Sequence, residues 1–303
     1  MNSDYDLLLA KKIKCVTDRY HDQPLPNILK LKEELGIKSP IHNGQNNLIL
    51  QNDNDPSAVL NLPLFSFRGQ NRVYYKGLNK KIPTCVPNIF RLGPEKRALE
   101  IRRTIMFEQK ASELDIVKRW LEQSYEYQDK FLERKVKLST SLTAIAQHFG
   151  LATNLLDLTY DFDVAAFFAT TEYKDNKHLP CKNGEGVIYI FNSFFYFANE
   201  GDIELDVMLL PRAKEQSAVA LIMRSDEDFN NKSPLVMIRF YQDIDCSMEI
   251  LEQYKNGSIL FPDNCENREI LNIKDEVMNM TKDKLLAEIS DEVVKIRCSE
   301  YFV

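Results

Sequence analysis

Apolar positions at helical spacing predict helices near both ends of the chain. Residues 1 to about 60 combine two short helical patterns with an Asn-rich, turn-forming stretch, so we interpret them as an N-terminal extension. From 273 to 303, apolar residues recur at helical spacing among charged residues, which predicts a single amphipathic helix. We expect this helix to pack on the body of the protein, although its apolar stripe could instead bind a partner protein.

The middle of the chain, residues 61–272, alternates strand-like and helix-like patterns and is predicted to be one domain. Strands are predicted at 63–68, 187–191, 218–223 and 235–241, and helices at 95–109, 114–132, 142–149 and 161–173. The pattern favours an α+β fold, in which helices pack on a twisted, largely antiparallel sheet.

Charge and composition exclude several classes of protein. The chain has 303 residues with 39 Lys and Arg against 45 Asp and Glu, and the net charge of −6 does not favour a nucleic-acid partner. No stretch approaches the ~20 apolar residues of a membrane helix, and the acidic, polar start does not resemble a secretory signal. We therefore expect a cytoplasmic protein without a membrane partner. Six scattered cysteines without metal-ligand spacing predict reduced thiols and no metal site.

Polar residues are concentrated within an otherwise apolar stretch from 145 to 169. They are Gln147, His148, Thr153, Asn154, Asp157 and Thr159. Buried polar side chains without partners cost roughly 1–3 kcal/mol each. The stretch therefore predicts either an internal hydrogen-bond network or a ligand site.

This stretch, together with Phe67-Arg68-Gly69-Gln70, resembles the FRG domain family. The resemblance includes the run from Gln147 to Thr159 and the Val-Ala-Ala-Phe-Phe-Ala run at 164–169, and extends over roughly 65–270. Members of the family occur in bacterial and phage proteins. The chain departs from the family pattern at Asn154, where the family commonly has Arg, and this departure weakens any anion-binding role of that position.

A weaker resemblance connects the chain to ADP-ribosyltransferases, whose order of Arg, Ser/Thr and Glu is similar. The matching positions are Arg68, Thr159 and either Glu215 or Gln216. The resemblance implies an ADP-ribosyltransferase-like fold with NAD as substrate. A carboxylate stabilises the positive sugar carbon better than an amide does, so Gln216 in that place would bind NAD without efficient catalysis.

The sequence thus predicts a cleft in which these residues converge on a small nucleotide ligand. The predicted binding residues are Gly69, Gln70, Gln147, His148, Thr153, Asn154, Asp157 and Arg212, and the predicted catalytic residues are Arg68, Thr159, Glu215 and Gln216. The expected reaction is ADP-ribosyl transfer or NAD hydrolysis. A defence effector that acts on nucleic acid or protein by the same mechanism is a third possibility.

Structural roles remain open for several of these residues. Arg68 could form a buried ion pair with Asp157. His148 could be a core histidine bound to backbone, and Asp157 or Thr159 could cap a helix. The alternative function is therefore a non-catalytic interaction module that contacts a protein partner through residues 1–60 or 273–303.

Overall fold

The computed structural model describes residues 3–37, 65–76, 82–122, 124–129, 134–192, 205–207, 211–225, 227–232 and 235–302. The Asn-rich stretch lies outside these ranges. The chain forms two compact units, the first from residues 1–84, 158–202 and 230–260 and the second from residues 85–157, 203–229 and 261–303. The predicted domain boundary at 60 also falls outside the described residues and stays a prediction.

Helices and strands alternate through the middle of the chain, as the hydrophobic pattern predicts. The helices are α1 (Ser3–Arg19), α2 (Ile28–Leu35), α3 (Pro94–Ala111), α4 (Asp115–Glu122), α5 (Leu142–His148), α6 (Phe162–Thr170), α7 (Pro211–Glu215), α8 (Ile244–Gln253), α9 (Cys265–Met278), α10 (Lys282–Glu288) and α11 (Asp291–Phe302). The strands are β1 (Phe65–Gln70), β2 (Tyr74–Lys76), β3 (Ile82–Thr84), β4 (Ser124–Asp129), β5 (Arg134–Ser139), β6 (Leu155–Thr159), β7 (Thr171–Lys174), β8 (Lys177–Pro180), β9 (Glu185–Asn192), β10 (Leu205–Val207), β11 (Ala218–Ile222) and β12 (Leu235–Tyr241).

The first unit is built on antiparallel strands around β9. Strand β9 pairs with β1 on one side and with β12 on the other, and its central residues are fully buried. Such a continuous buried run is typical of a strand covered on both faces. Helix α6 packs on β1, where the ring of Phe162 meets that of Phe67 edge-on at a centroid distance of 5.6 Å. Short hairpins are formed by β2 with β3 and by β7 with β8.

The N-terminal helices are integrated into the first unit. Leu31 and Leu35 of α2 are buried, and Lys32 pairs with Asp163 of α6 at 2.5 Å. Leu25, between α1 and α2, forms backbone hydrogen bonds of 2.9 Å with the nitrogen of Tyr241 and the carbonyl oxygen of Arg239. The described part of the predicted extension therefore contributes core residues and backbone pairing to this unit.

The second unit contains the strands β11, β10, β5 and β4, in this order. All of these pairs are antiparallel except β10 with β5, which is parallel. The prediction of continuous helix over 114–132 is wrong, because α4 ends at Glu122 and β4 follows as a strand. In β4 the tyrosines at 125 and 127 alternate with polar residues, and this two-residue period is typical of a strand.

Helix α3 is central to the second unit, and it lies within the core cluster that also includes α4, α5 and the C-terminal helices. Its buried residues include Ile101, Ile105 and Phe107, and Trp120 of α4 belongs to the same cluster. The carboxylate of Glu108, which is also buried, accepts hydrogen bonds from Nη2 of Arg297 at 2.8 Å and from the hydroxyl of Thr143 at 2.8 Å. The buried charge is therefore paired with an arginine and with a hydroxyl at the start of α5.

The C-terminal region consists of three helices, so the prediction of one helix over 273–303 is wrong. Thr281 begins α10 by accepting a hydrogen bond from the nitrogen of Lys284 at 3.3 Å. Ser290 does the same for Val293 at 3.4 Å, just before α11. Side-chain caps of this kind favour new helix starts, and they divide what is otherwise a continuous helical pattern. The predicted apolar stripe is confirmed up to α11: Val277, Met280, Leu285 and Ile289 pack in the core of the unit. In α11 the stripe was predicted at Val293 and Ile296, but these are exposed and Val294 is buried instead.

These observations confirm the α+β fold class with a mostly antiparallel sheet. All six cysteines lie in described ranges and are free thiols. Within those ranges, no helix combines the length and the apolar composition that crossing a bilayer requires.

Candidate functional site

A hydrogen-bonded chain in the second unit joins three of the predicted binding residues. The Gln147 side chain donates from Nε2 to Oδ2 of Asp157 at 2.9 Å and accepts at Oε1 from the hydroxyl of Thr153 at 2.5 Å. The Thr153 oxygen in turn accepts from the nitrogen of Leu155 at 3.1 Å. The side chains at the end of α5 are thereby fixed relative to the start of β6.

Local structure explains why Gln147 and His148 end a helix at this place. Ser141 caps α5 by accepting a hydrogen bond from the nitrogen of Ala144 at 3.0 Å. Gly150 follows the helix with a φ of +85°, a conformation that favours glycine. The sharp turn after α5 brings the chain back, so that Thr153 reaches Gln147.

His148 is buried beside this chain of hydrogen bonds. Burial lowers the pKa of its imidazole from 6.5 to about 4, with the charge of Asp157 raising the pKa and that of Arg212 lowering it. The imidazole is therefore neutral at neutral pH. Its Nε2 atom is buried and forms no hydrogen bond with any described residue. A neutral imidazole nitrogen in this position can donate or accept one hydrogen bond.

Asn154 is used in packing within the second unit. Its side-chain Nδ2 donates to the backbone carbonyl oxygen of Met223 at 3.4 Å, and its backbone carbonyl oxygen accepts from the backbone nitrogen of Met223 at 3.0 Å. The side chain is buried. At this position, where the family commonly has Arg, the amide therefore connects the start of β6 with the residue after β11.

Three further predicted residues lie in α7 or directly after it. The Arg212 guanidinium carbon lies over the ring of Phe261, 4.3 Å from its centroid, and 5.5 Å from the centroid of Phe149. Glu215, the last residue of α7, is exposed, whereas Gln216 is buried directly before β11. The buried side chain at the end of this helix is thus an amide and the exposed one is a carboxylate.

The remaining predicted residues belong to the first unit. Arg68 is half-buried in β1 and lies opposite Tyr189 of β9. Thr159 is buried opposite Phe67, and its hydroxyl accepts from the nitrogen of Asp161 at 3.0 Å. Asp161 caps α6 by accepting hydrogen bonds from the nitrogens of Asp163 and Val164. The hydroxyl of Thr159 therefore stabilises the turn that starts this helix.

Gly69 and Gln70 end β1 against α6. A Cβ at position 69 would overlap the carbonyl oxygen of Ala165 and lie 2.9 Å from the nitrogen of Ala169. Only glycine allows this close approach of strand and helix. Gln70 is buried. The glycine of the Phe-Arg-Gly-Gln motif thus has a packing role within the first unit.

The structure brings together Gln147, Thr153 and Asp157 directly through hydrogen bonds. Arg212 contacts the ring of Phe149, the residue after His148. Arg68, Gly69, Gln70 and Thr159 lie in the other unit. The predicted convergence of the two sets in one cleft stays a prediction, as does a pair between Arg68 and Asp157.

Sequence reasoning did not assign roles to the two phenylalanines that contact Arg212. Phe149 is the last apolar position of the helix predicted over 142–149, and Phe261 lies more than one hundred residues further along the chain. No periodic signal connects an aromatic residue with an arginine in another element. In the described part of the chain, no group of three His, Cys, Asp or Glu side chains could hold a metal ion.

Comparison with known protein families gives one match. Residues 65–178 match the model of the FRG domain family. No curated protein and no solved structure matches the chain. The match includes β1 and the segment from α5 to α6, whereas α7 and Phe261 lie beyond it, although the resemblance was expected to reach about residue 270. The chain carries an FRG domain over residues 65–178.

Proposed function

We propose that this FRG-domain protein binds a nucleotide-like ligand, with NAD as the first candidate. The observation that supports this proposal is the buried Nε2 atom of His148, which forms no hydrogen bond with any described residue. Burying such a group without a partner costs about 1–3 kcal/mol. A ligand that forms a hydrogen bond with Nε2 recovers this free energy on binding.

The neighbouring polar groups suit a ligand that contains a sugar or a base. The carboxylate of Asp157 is oriented by Gln147, and Gln147 is itself oriented by Thr153. Fixed acceptors and donors of this kind bind hydroxyl and amide groups without losing further side-chain entropy. Preorganised polar groups around a neutral imidazole are typical of small-molecule sites.

If the ligand is NAD, the reaction is ADP-ribosyl transfer or NAD hydrolysis. Arg68 would hold phosphate, Thr159 would brace the site, and Glu215 or Gln216 would lie near the ribose carbon that becomes positive as nicotinamide leaves. Glu215 is exposed at the end of α7 and Gln216 is a buried amide. These positions support ligand binding more strongly than rapid transfer. A defence effector would use the same chemistry on a protein or nucleic-acid acceptor.

A non-catalytic interaction module is the second candidate. It is favoured by the fact that both ends of the Gln147 amide have partners within the chain, Thr153 and Asp157. Such a chain of hydrogen bonds stabilises a core without any ligand. In that case a protein partner would bind the exposed faces of the helices within 1–60 or 273–303.

Mixing the full chain with NAD tests the proposal. We expect NAD to raise the melting temperature, and turnover, if present, to release nicotinamide. The variant His148→Asn, which lacks Nε2, should bind NAD with an apparent affinity at least tenfold weaker. The NAD-induced rise in melting temperature should be smaller accordingly. If the imidazole has only a structural role, His148→Asn should change the melting temperature without NAD and leave the affinity for NAD unchanged.

The matched control is His21→Asn, because His21 is exposed on the first unit. It should bind NAD like the original protein. The proposal is contradicted if NAD, ADP-ribose and AMP all leave the melting temperature unchanged and no nicotinamide is released from NAD. That result would favour the interaction module.

A further inference from the structure

Arg212 is held by two aromatic rings within the second unit. The guanidinium carbon lies 4.3 Å from the centroid of the Phe261 ring and 5.5 Å from that of Phe149. Phe149 follows α5 and is buried, while Phe261 precedes α9 and is half-buried. Contacts of a guanidinium with aromatic rings are favourable and restrict the conformations of a long, flexible side chain.

Ring contacts also decide what Arg212 can recognise. An arginine that contacts aromatic rings with its flat face directs its N–H donors outward in the plane of the guanidinium. This planar fork matches pairs of phosphate oxygens, which it can bind bidentately. Arg212 is half-buried, so its charge is only partly screened by water.

Asp157 provides a second, different binding group near the same imidazole. Asp157 accepts a hydrogen bond at 2.9 Å from Gln147, the residue before His148. Arg212 lies 5.5 Å from the ring centroid of Phe149, the residue after His148. A carboxylate repels phosphate but accepts hydrogen bonds from the hydroxyls of a ribose. A guanidinium and a carboxylate held by the residues that flank His148 therefore suit a ligand in which hydroxyls and phosphate are adjacent.

We propose that Arg212, His148 and Asp157 form a subsite for the ribose-phosphate part of the ligand, with Phe149 and Phe261 as positioning residues for Arg212. The phosphate binds Arg212, and the ribose hydroxyls bind Asp157. The inference rests on the proposed function and assigns the phosphate contact within the second unit to Arg212, independently of Arg68.

Ribose 5-phosphate, inorganic phosphate and ribose are the probes that test this subsite. Calorimetric titration of the full chain should show binding of ribose 5-phosphate that is at least tenfold tighter than that of either fragment. Arg212→Lys keeps the charge but loses the planar fork, and we expect it to lower the affinity for ribose 5-phosphate at least tenfold. Phe261→Leu should lower this affinity several-fold, because the guanidinium is less well oriented.

The control is Arg119→Lys, since Arg119 is an exposed arginine of α4 in the same unit. It should bind ribose 5-phosphate like the original protein. If Arg212→Lys does not fold, Phe261→Leu, which keeps the guanidinium, decides the question. Unchanged binding by the folded variants overturns the subsite.

NAD separates failure of this inference from failure of the proposed function. If the original protein binds NAD and Arg212→Lys binds it equally well, the subsite is wrong while the nucleotide site stands. If the original protein binds none of NAD, ADP-ribose and ribose 5-phosphate, both proposals fail. Equal binding of inorganic phosphate and ribose 5-phosphate would reduce the subsite to a simple anion site and overturn the role of Asp157.

Discussion

At the scale of single residues, His148 combines burial with a titratable ring. Its imidazole has a pKa lowered to about 4 by burial, while an exposed histidine titrates near 6.5. Between these two values the unfolded chain binds more protons than the folded chain does. The folded state is therefore stabilised above pH 6.5 relative to lower pH, and this contribution is lost as the pH falls towards 4.

This difference predicts a pH dependence that belongs to one side chain. Between pH 7 and pH 5, the original protein should lose about 2 kcal/mol of unfolding free energy relative to His148→Asn. Urea unfolding at the two pH values measures it. His21→Asn, which changes an exposed histidine, should keep the full pH dependence. Equal slopes for the original protein and His148→Asn would show that the ring is not buried as described.

The polar residues of the candidate site were predictable as a group but not in their individual roles. Polar residues within an apolar stretch indicated a network, and Gln147, Thr153 and Asp157 form one. The sequence could not indicate that Asn154 contacts Met223, or that Phe261 contacts Arg212, because these partners are far apart in the chain. Contacts of this kind depend on tertiary structure, which periodicity does not report.

At the scale of elements, the contact between β1 and α6 depends on Gly69. A methyl group at this position would overlap the carbonyl oxygen of Ala165, a backbone atom that cannot rotate away. Gly69→Ala should therefore lower the unfolding free energy by about 3 kcal/mol through overpacking. Thermal or urea unfolding measures the change.

Gly93 provides the control for this substitution. A Cβ at Gly93 meets no atom within 4 Å, and the residue is the N-cap of α3. Gly93→Ala should cost at most about 1 kcal/mol, which reflects the N-cap preference alone. Similar losses for the two variants would mean that strand and helix do not approach as closely as the structure has them.

Helices and strands were predicted correctly where the hydrophobic period was clear. The predictions failed where side-chain caps divided a helix or where strand pairing determined the secondary structure. Helices α2, α3, α5 and α6 and the strands β1, β9, β11 and β12 were expected from their patterns. The strand β4 was mistaken for helix, because it is formed by antiparallel pairing with β5, from Ser124 opposite Ser139 to Asp129 opposite Arg134, and the helical pattern does not report such pairing. Tertiary pairing overrides local preference in such segments.

At the scale of the whole molecule, the N-terminal helices are part of a folded unit. Leu31 of α2 is fully buried, whereas Leu8 of α1 is 51% exposed. Leu31→Ala should lower the unfolding free energy by about 3 kcal/mol, because it removes buried methyl groups and leaves a cavity. Leu8→Ala should change it by less than about 0.5 kcal/mol. Equal effects would indicate an independent appendage.

The backbone pairing of Leu25 has a consequence for solubility. Leu25 occupies hydrogen-bonding groups of β12 next to Arg239 and Tyr241, on the side of that strand away from β9. Unoccupied strand edges recruit strands from other molecules and promote aggregation. We therefore expect the short segment between α1 and α2 to limit self-association by covering this part of the β12 edge. A chain that begins after residue 37 would expose the edge to other copies of the protein and should aggregate more readily.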